Sequence, residues 1–165
     1  MLDGQKNLRE LIDGLALVKG EWVLDIFGDD SQAETVKSYA ASKKVAQHLR
    51  WHGFVKDPWL SIQSATALLL TSKYEGLPMV LCEAISHGIY CISANTSTGP
   101  DDIINKQNGK LYSLGNVKEL AQALEEVVNN QSLPNQRQIQ HTSQKFSPDQ
   151  YRKRFDNAIK TILEK

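Results

Sequence analysis

Two glutamates, Glu75 and Glu83, lie eight positions apart on either side of a Gly-Leu-Pro sequence that ends at Pro78. Proline is favoured in the first turn of a helix, so this spacing places Glu75 in the loop before a helix and Glu83 about one and a half turns inside it. A carboxylate can accept two hydrogen bonds side by side, and the adjacent hydroxyls of a diol can donate two. The pair is therefore suited to binding two diols.

The backbone at the start of this helix is suited to an anion between those diols. The first N–H groups of a helix lack acceptors within the helix and carry the positive end of its dipole, so residues 76–80 can hold a diphosphate. Gly76 has no side chain that would block the approach of a ligand to the backbone. A diphosphate flanked by a ribose diol and a sugar diol is the shape of a nucleotide sugar.

An isolated pair of glutamates at this spacing is more often an ordinary loop residue and an exposed helix residue. Here Glu83 lies within the mostly apolar sequence Met79–Ser86, where a charge needs a partner. The pair also follows the apolar run ATALLLTS, which is typical of a buried strand. These surroundings favour the binding role.

Strand-like and helical patterns alternate along the chain. The strand-like runs are EWVLDIF, HLRWHGFV, ATALLLTS, IYCISAN and KLYSL. Helical patterns cover residues 6–19, 31–47, 78–87, 117–130 and 148–163, with Ser31 as an N-cap, and residues 129–138 are the most loop-like segment. The alternation predicts an α/β fold, a Rossmann-like parallel sheet with helices on both faces. Such folds bind ligands beyond the carboxyl ends of their strands, which here are loops 28–31, 53–57, 71–78 and 95–101.

The composition narrows the class of protein. A length of 165 residues fits one domain. Lys plus Arg and Asp plus Glu both total 19, and the lack of a basic surplus argues against a nucleic-acid partner.

Cys82 and Cys91 lie in apolar stretches and are predicted to be buried thiols in a reducing compartment. No apolar run approaches the roughly 20 residues that span a bilayer, and no signal peptide is evident, so we predict a soluble, cytoplasmic domain.

The segment LLLTSKYEGLPMVLCEAISHGIYCISANTSTGPDDI, residues 68–103, resembles the signature of the retaining GT-B glycosyltransferases that carry a Glu-x7-Glu motif. The stretches STGPDDI and NGKLY look most like the lipopolysaccharide core galactosyltransferases, which take galactose from UDP-galactose. The similarity covers essentially the whole chain. It implies the C-terminal, donor-binding half of such an enzyme.

The resemblance implies a role for each residue that matches the family pattern. Glu75 would contact the transferred sugar as the catalytic residue, Glu83 would hold the ribose diol, and Lys6 matches the phosphate-binding lysine. The family needs no metal for the diphosphate, so no metal and no cofactor besides the UDP-sugar substrate are expected. The predicted donor-binding set is Lys6, Gly53, Phe54, Val55, Ser72, Glu75, Gly76, Leu77, Pro78, Met79, Val80 and Glu83. Within this set, residues 53–55 would pack on the nucleobase and residues 76–80 would hold the diphosphate.

The sequence also departs from the family. The family has a strand and an arginine before the lysine, whereas this sequence begins at Met1. We therefore predict a truncated or partial gene product without that first strand and without the N-terminal half that binds the glycan or lipid-linked acceptor. Alone it should bind UDP or a UDP-sugar weakly and transfer little. The full-length enzyme would be cytoplasmic, with peripheral association at the inner membrane face.

Other interpretations stay open. The pair Asp29 and Asp30 at the end of a strand could be a metal site, although a turn and helix cap is favoured there. The four histidines show no ligand spacing, and Trp22, Trp51 and Trp59 fit packing better than base stacking. The chain could instead be a non-catalytic nucleotide-binding or scaffold module, or resemble a nucleotide-sugar epimerase of the same architecture.

Overall fold

The computed structural model describes residues 4–28, 33–62, 64–129 and 133–163. Its elements follow one another as α1 (Leu8–Leu15), β1 (Leu24–Phe27), α2 (Ala33–Ser42), β2 (Leu49–Gly53), α3 (Pro58–Ser61), β3 (Ala67–Leu70), α4 (Met79–Ser86), β4 (Tyr90–Asn95), α5 (Pro100–Ile103), β5 (Gly109–Ser113), α6 (Val117–Val128), α7 (Gln136–Thr142) and α8 (Pro148–Leu163). Short 3₁₀ turns cover Ala46–His48 and Ser143–Phe146. The predicted α/β alternation is confirmed.

All the strand pairs of the described residues are parallel, as predicted. They form a two-stranded sheet of β1 and β2 and a three-stranded sheet in the order β3-β4-β5. Leu24 lies opposite Leu49 in the first sheet, and Ala67 lies opposite Tyr90 in the second. A helix connects each strand to its parallel neighbour, so the carboxyl ends of paired strands open on the same edge.

Helix α1 packs against both sheets. Its residues Leu11 and Leu15 belong to a buried cluster with Ile92 of β4. The intervening Ile12 belongs to a second cluster that contains Val36 of α2 and Leu49 of β2. Because these side chains point to two sides of one helix, α1 joins the two sheets through a shared apolar core.

Helix α4 is anchored in the core along its inner face. Leu81, Ala84 and Ile85 are fully buried and pack with Cys91 of β4 and Ile103 of α5. The anchoring fixes the position of the amino end of α4, where the candidate site lies.

Helix α4 ends at Ser86, and Gly88, two residues later, has a φ of +74°. A Cβ atom there would lie 2.2 Å from Cγ of Gln136, so both the backbone angle and the contact favour glycine.

Several predicted boundaries were wrong. The helix expected from Ser31 to Gln47 ends at Ser42, because Lys44 adopts a left-handed φ of 62° that a helix cannot include. Ser31, its predicted cap, lies outside the described residues.

Part of the loop expected at 129–138 is helical. Helix α7 begins at Gln136 with a capping box between Asn135 and Gln138, and only Ile139 of its residues is buried, so it offered no apolar periodicity.

The sequence also predicted buried thiols and no membrane-spanning segment. Cys82 and Cys91 are both free thiols, but only Cys91 is buried, while Cys82 is partly exposed. None of the helices among the described residues is both long and apolar enough to cross a membrane.

Candidate functional site

The loop between β3 and α4 carries the first glutamate, and α4 carries the second. Glu83 is the fifth residue of α4, whose N-cap is Pro78. The predicted division of the two glutamates between loop and helix is therefore confirmed. No side chain caps α4, and the Leu81 N–H bonds back to the Pro78 carbonyl at 2.9 Å. The first turn of α4 thus offers backbone donors without a capping side chain.

Glu75 pairs with Lys6 in the structure. The Lys6 ammonium donates to Oε1 of Glu75 at 2.9 Å, although 69 positions separate the two residues. The Glu75 side chain is 13% exposed, and that of Lys6 is 60% exposed. The structure thus places a cation and a carboxylate together at the loop that leads into α4.

The environment of Glu75 keeps its carboxyl charged. Partial burial raises the pKa of Glu75, but the Ser72 hydroxyl, the Lys6 hydrogen bond and the Lys6 charge outweigh it, so the net pKa lies below the usual value. The Ser72 oxygen is buried and makes no hydrogen bond of normal geometry, although it lies near enough to influence Glu75. Glu75 is therefore an anionic acceptor at neutral pH.

Three hydrogen bonds hold Gln5 and Lys6 against the loop after β3. The Lys73 N–H donates to the Gln5 carbonyl at 2.8 Å, and the Gln5 amide donates to the Tyr74 carbonyl at 3.2 Å. The Thr71 hydroxyl donates to the Lys6 carbonyl at 2.8 Å. Lys6 is thus placed by backbone contacts and not by its ion pair alone.

A second support comes from the loop after β4, which the sequence placed among the ligand-binding loops without a role for Thr98 or Gly99. The Thr98 hydroxyl donates to the Glu75 carbonyl at 2.7 Å. Gly99, next along the chain, lies against Gly76 and Pro78. The sequence signals were the position of this loop after a strand, on the ligand side of the sheet, and the resemblance of STGPDDI to the family pattern.

Glu83 has a different environment. Its side chain is exposed, and Nε1 of Trp59 donates to its Oε2 at 3.0 Å. The Trp59 ring stacks on His87, with ring centroids 4.9 Å apart and planes 11° apart. The sequence favoured packing over base stacking for Trp59, and it did not indicate that the indole N–H also contacts this carboxylate.

The predicted nucleobase loop follows β2. Gly53 has a φ of +66°, and its carbonyl accepts from the Gly28 N–H at 2.9 Å. Phe54 is 81% exposed, so its ring is accessible to a ligand. Leu77 and Met79 are also exposed apolar side chains at the α4 end of the site.

A cavity of about 270 Å³ lies away from these loops. Its lining includes Ala65 and Ile89, which precede β3 and β4, so it opens at the amino ends of those strands. Trp59 and His87 form part of its wall. The loops that carry Lys6, Glu75 and Phe54 lie instead toward the carboxyl ends of the strands, and Glu83 borders the cavity wall through its contact with Trp59.

The described residues contain no group of three or more His, Cys, Asp or Glu side chains arranged to hold a metal. Asp29 and Asp30, the alternative metal pair, lie outside the described residues. Among the histidines, His52 pairs with Asp25 at 2.7 Å, and His48 contacts the Trp22 carbonyl at 3.2 Å.

Comparison with known families decides the class of protein. The profile of the family described as "Glycosyl transferases group 1" matches residues 1–145. This chain belongs to the glycosyl transferases group 1 family. The resemblance seen in the sequence is thereby confirmed.

Two curated relatives that match almost the whole chain carry the same name. The chain is 39% identical to the lipopolysaccharide 1,6-galactosyltransferase of Salmonella typhimurium strain LT2, over 99% of this chain and 47% of that protein. It is 36% identical to the lipopolysaccharide 1,6-galactosyltransferase of Escherichia coli K12, over 98% of this chain and 45% of that protein. The chain thus spans about half the length of these relatives.

Solved structures agree with the family's fold. The apo form of the lipopolysaccharide outer core galactosyltransferase WaaB is 38% identical with a TM-score of 0.92, covering 98% of this chain and 46% of that one. Anabaena Alr3699/HepE, solved in complex with UDP, is 19% identical with a TM-score of 0.81, covering 97% of this chain and 46% of that one. The GT-B-type α/β fold of this chain is therefore shown.

Proposed function

We propose that this chain is the donor-binding domain of a retaining glycosyltransferase that transfers a hexose, galactose, from a UDP-sugar to a lipopolysaccharide or other glycan. The observation that carries the proposal is the contact of Lys6 with Glu75 beside the uncapped start of α4. Similarity to two galactosyltransferases over almost the whole chain supports the same assignment.

The diphosphate would lie at the start of α4. The N–H groups of residues 76, 77, 79 and 80 would donate to the diphosphate at the positive end of the helix dipole, and Lys6 would add a full charge. Gly76 is exposed and has nothing within 4 Å of a Cβ position, so the approach is open. We propose that these groups neutralise the diphosphate without a metal ion.

Glu75 would accept hydroxyl groups of the transferred sugar. The lowered pKa keeps its carboxylate charged, and a charged acceptor forms the stronger hydrogen bonds to hydroxyls. In the structure Lys6 pairs with Glu75 itself. Binding would let Lys6 contact the phosphate and leave Glu75 to the sugar, close to the bond that breaks, which is the basis for its catalytic role.

Glu83 would hold the ribose diol. One of its oxygens already accepts from Trp59, and a carboxylate has enough lone pairs to accept two further hydroxyl donors. The uracil would then pack on residues 53–55, where the exposed Phe54 ring provides a flat apolar surface. Ser72 would stay beneath the sugar as part of the Glu75 environment.

The two separate sheets support a larger fold. The sequence of β3 is Ala-Leu-Leu-Leu, three of whose residues are only half-buried, and it pairs with β4 alone among the described strands. An uncharged strand of this kind is unusual at a sheet edge. We propose that one further strand pairs between β3 and β1, since doubly wound folds place their first strand there. The acceptor would bind to the other half of the relatives' length.

The acceptor and the location of the enzyme are proposed from similarity. Lipopolysaccharide galactosyltransferase relatives favour a glycan or lipid-linked acceptor. We propose action in the cytoplasm, with peripheral association at the inner membrane face.

Isothermal calorimetry with UDP-, GDP- and ADP-sugars tests the donor assignment. We expect weak binding that is selective for UDP-galactose or a related UDP-hexose and is unchanged by chelator. Glu75→Gln should weaken UDP-galactose binding, and Glu34→Gln, an exposed glutamate on α2 paired with Lys37, is the matched control. Preference for a different nucleotide, or equal effects of the two substitutions, contradicts the proposal.

A non-catalytic nucleotide-binding module is the second candidate, favoured by the fact that the chain spans about half of its relatives. Supplying the other half as a separate polypeptide separates the two functions. Transfer that appears only with both halves supports the enzyme, whereas nucleotide binding without transfer under any donor supports the module.

A further inference from the structure

The turn formed by residues 96–99, after β4, contacts the backbone of the candidate site at two successive residues. The Thr98 hydroxyl donates to the Glu75 carbonyl at 2.7 Å. Gly99 lies against the Gly76 carbonyl, the next one along the chain. Both contacts reach the segment that joins the Glu75 side chain to the start of α4.

Because Gly99 has no side chain, the 96–99 turn lies closer to Gly76 and Pro78 than any other residue type would allow. Its φ of +97° lies in the region that favours glycine. A Cβ atom would fall 2.2 Å from the Gly76 carbonyl oxygen and 2.7 Å from Cδ of Pro78. Because one clash is with backbone and the other with a ring that begins a helix, a side chain here would displace the start of α4.

The 96–99 turn is itself fixed. The buried Thr96 donates to the Thr98 carbonyl at 3.1 Å. Pro100 is fully buried, and Ile103 packs into the core cluster that contains Leu81 and Ile85 of α4. The turn and α4 are therefore held on the same core, and the turn can set the distance between Glu75 and the helix start.

We propose that Thr98 and Gly99 are positioning residues for donor binding. They hold the backbone of Glu75 and Gly76 so that the Glu75 carboxylate and the first amides of α4 converge on one ligand. The inference rests on the proposed function, because it assigns that ligand as the diphosphate-sugar part of the donor. Neither residue needs to touch the ligand.

Substitutions at Thr98 test the inference. Valine keeps the shape of threonine and removes the donor, whereas serine keeps the donor. We expect Thr98→Val to weaken UDP-galactose binding about 5-fold, the effect of one hydrogen bond, and Thr98→Ser to bind like the natural chain. Uridine, which reaches only the base and ribose end, should bind both variants equally in an NMR titration.

The pattern of losses separates positioning from general destabilisation. Equal UDP-galactose affinity in Thr98→Val and the natural chain overturns the inference, and so does a parallel loss of uridine affinity. If the natural chain binds neither ligand, the proposed function fails and the inference fails with it. Gly99→Ala should lose more UDP-galactose affinity than Thr98→Val, and should it not fold, the Thr98 variants still decide.

Discussion

The two glutamates of the motif occupy environments that differ in construction. Two distant chain segments support Glu75: Lys6 contacts its carboxylate and Thr98 contacts its carbonyl, while Ser72 of its own loop helps to lower the pKa of its carboxyl. Glu83 projects from α4 into solvent, and Trp59 is the hydrogen-bond partner of its carboxylate. The sugar end of the proposed site is thus built from distant segments, whereas the ribose end depends on one helix and one neighbouring indole.

This difference indicates where each function can reside. A carboxylate that acts near the reacting bond must be held within a fraction of an ångström, which requires support from several directions. A carboxylate that only binds a diol, away from the reacting bond, can be less constrained, because a small shift weakens binding without misaligning the reacting atoms. The comparison therefore predicts that the Glu75 end controls transfer and that the Glu83 end controls affinity.

The largest expected effect is on transfer. Under the proposed function, when the other half of the relatives' length is supplied, Glu75→Gln should reduce the rate of hexosyl transfer by on the order of 100-fold, as for removal of a group that stabilises developing charge. Glu83→Gln, which keeps the size of the side chain, is the internal control and should affect KM more than kcat. Equal reductions in kcat by the two substitutions would contradict the different roles proposed for Glu75 and Glu83.

The second-largest expected effect is on the affinity for nucleotide. Glu83→Ala should weaken UDP binding by about 1–3 kcal/mol, because the ribose hydroxyls lose their charged acceptor. Calorimetry with UDP measures the effect, and Glu34→Ala on the distant α2 serves as the comparison. Unchanged affinity in Glu83→Ala removes the ribose assignment.

A smaller effect is expected at Trp59. Trp59→Phe keeps a ring that can stack on His87 but removes the N–H that contacts Glu83, so UDP affinity should fall by about 1 kcal/mol. Combining Trp59→Phe with Glu83→Ala should add little further loss, since both changes act on the same carboxylate. Additive losses in this double-mutant cycle argue that Trp59 acts independently.

The smallest effect concerns stability and pH. The folded-state pKa of Glu75 is lowered, so its charged form contributes stability above the unfolded carboxyl pKa of about 4.3, and this contribution is lost as the pH falls through the lowered folded value. Because Lys6 is exposed, the contribution should stay below about 1 kcal/mol. Thermal unfolding from pH 7 to pH 3 should show the gap between natural chain and Glu75→Gln closing in acid. A gap that widens in acid contradicts the sign of the shift.

The sequence predicted the elements of the site better than their contacts. Pro78 and the apolar runs were enough to place Glu75 in a loop and Glu83 in a helix, because these features are local. Lys6 was assigned only through resemblance, since nothing in a surface lysine indicates a partner 69 positions away. The contacts of Thr98 and Trp59 depend on how two loops and two helices pack, which no local pattern encodes.

Prediction of the fold from the sequence has the same limit, because local patterns do not specify long-range contacts. Alternating strands and helices were predicted from periodicity, but periodicity does not state which strands pair, so the division into two sheets was not foreseen. The predicted loop 129–138 includes the first three residues of α7, because this helix is stabilised by a capping box and one buried isoleucine and not by an apolar face.

NMR shift mapping with UDP-galactose on the labelled chain tests the central claim most directly. The proposed site predicts that the largest backbone shifts occur at Lys6, at Gly76, Leu77, Met79 and Val80, and at Glu83, with smaller shifts at Phe54. Shifts centred on the cavity lined by His87 and Gln136, at the opposite edge of the sheet, would contradict it.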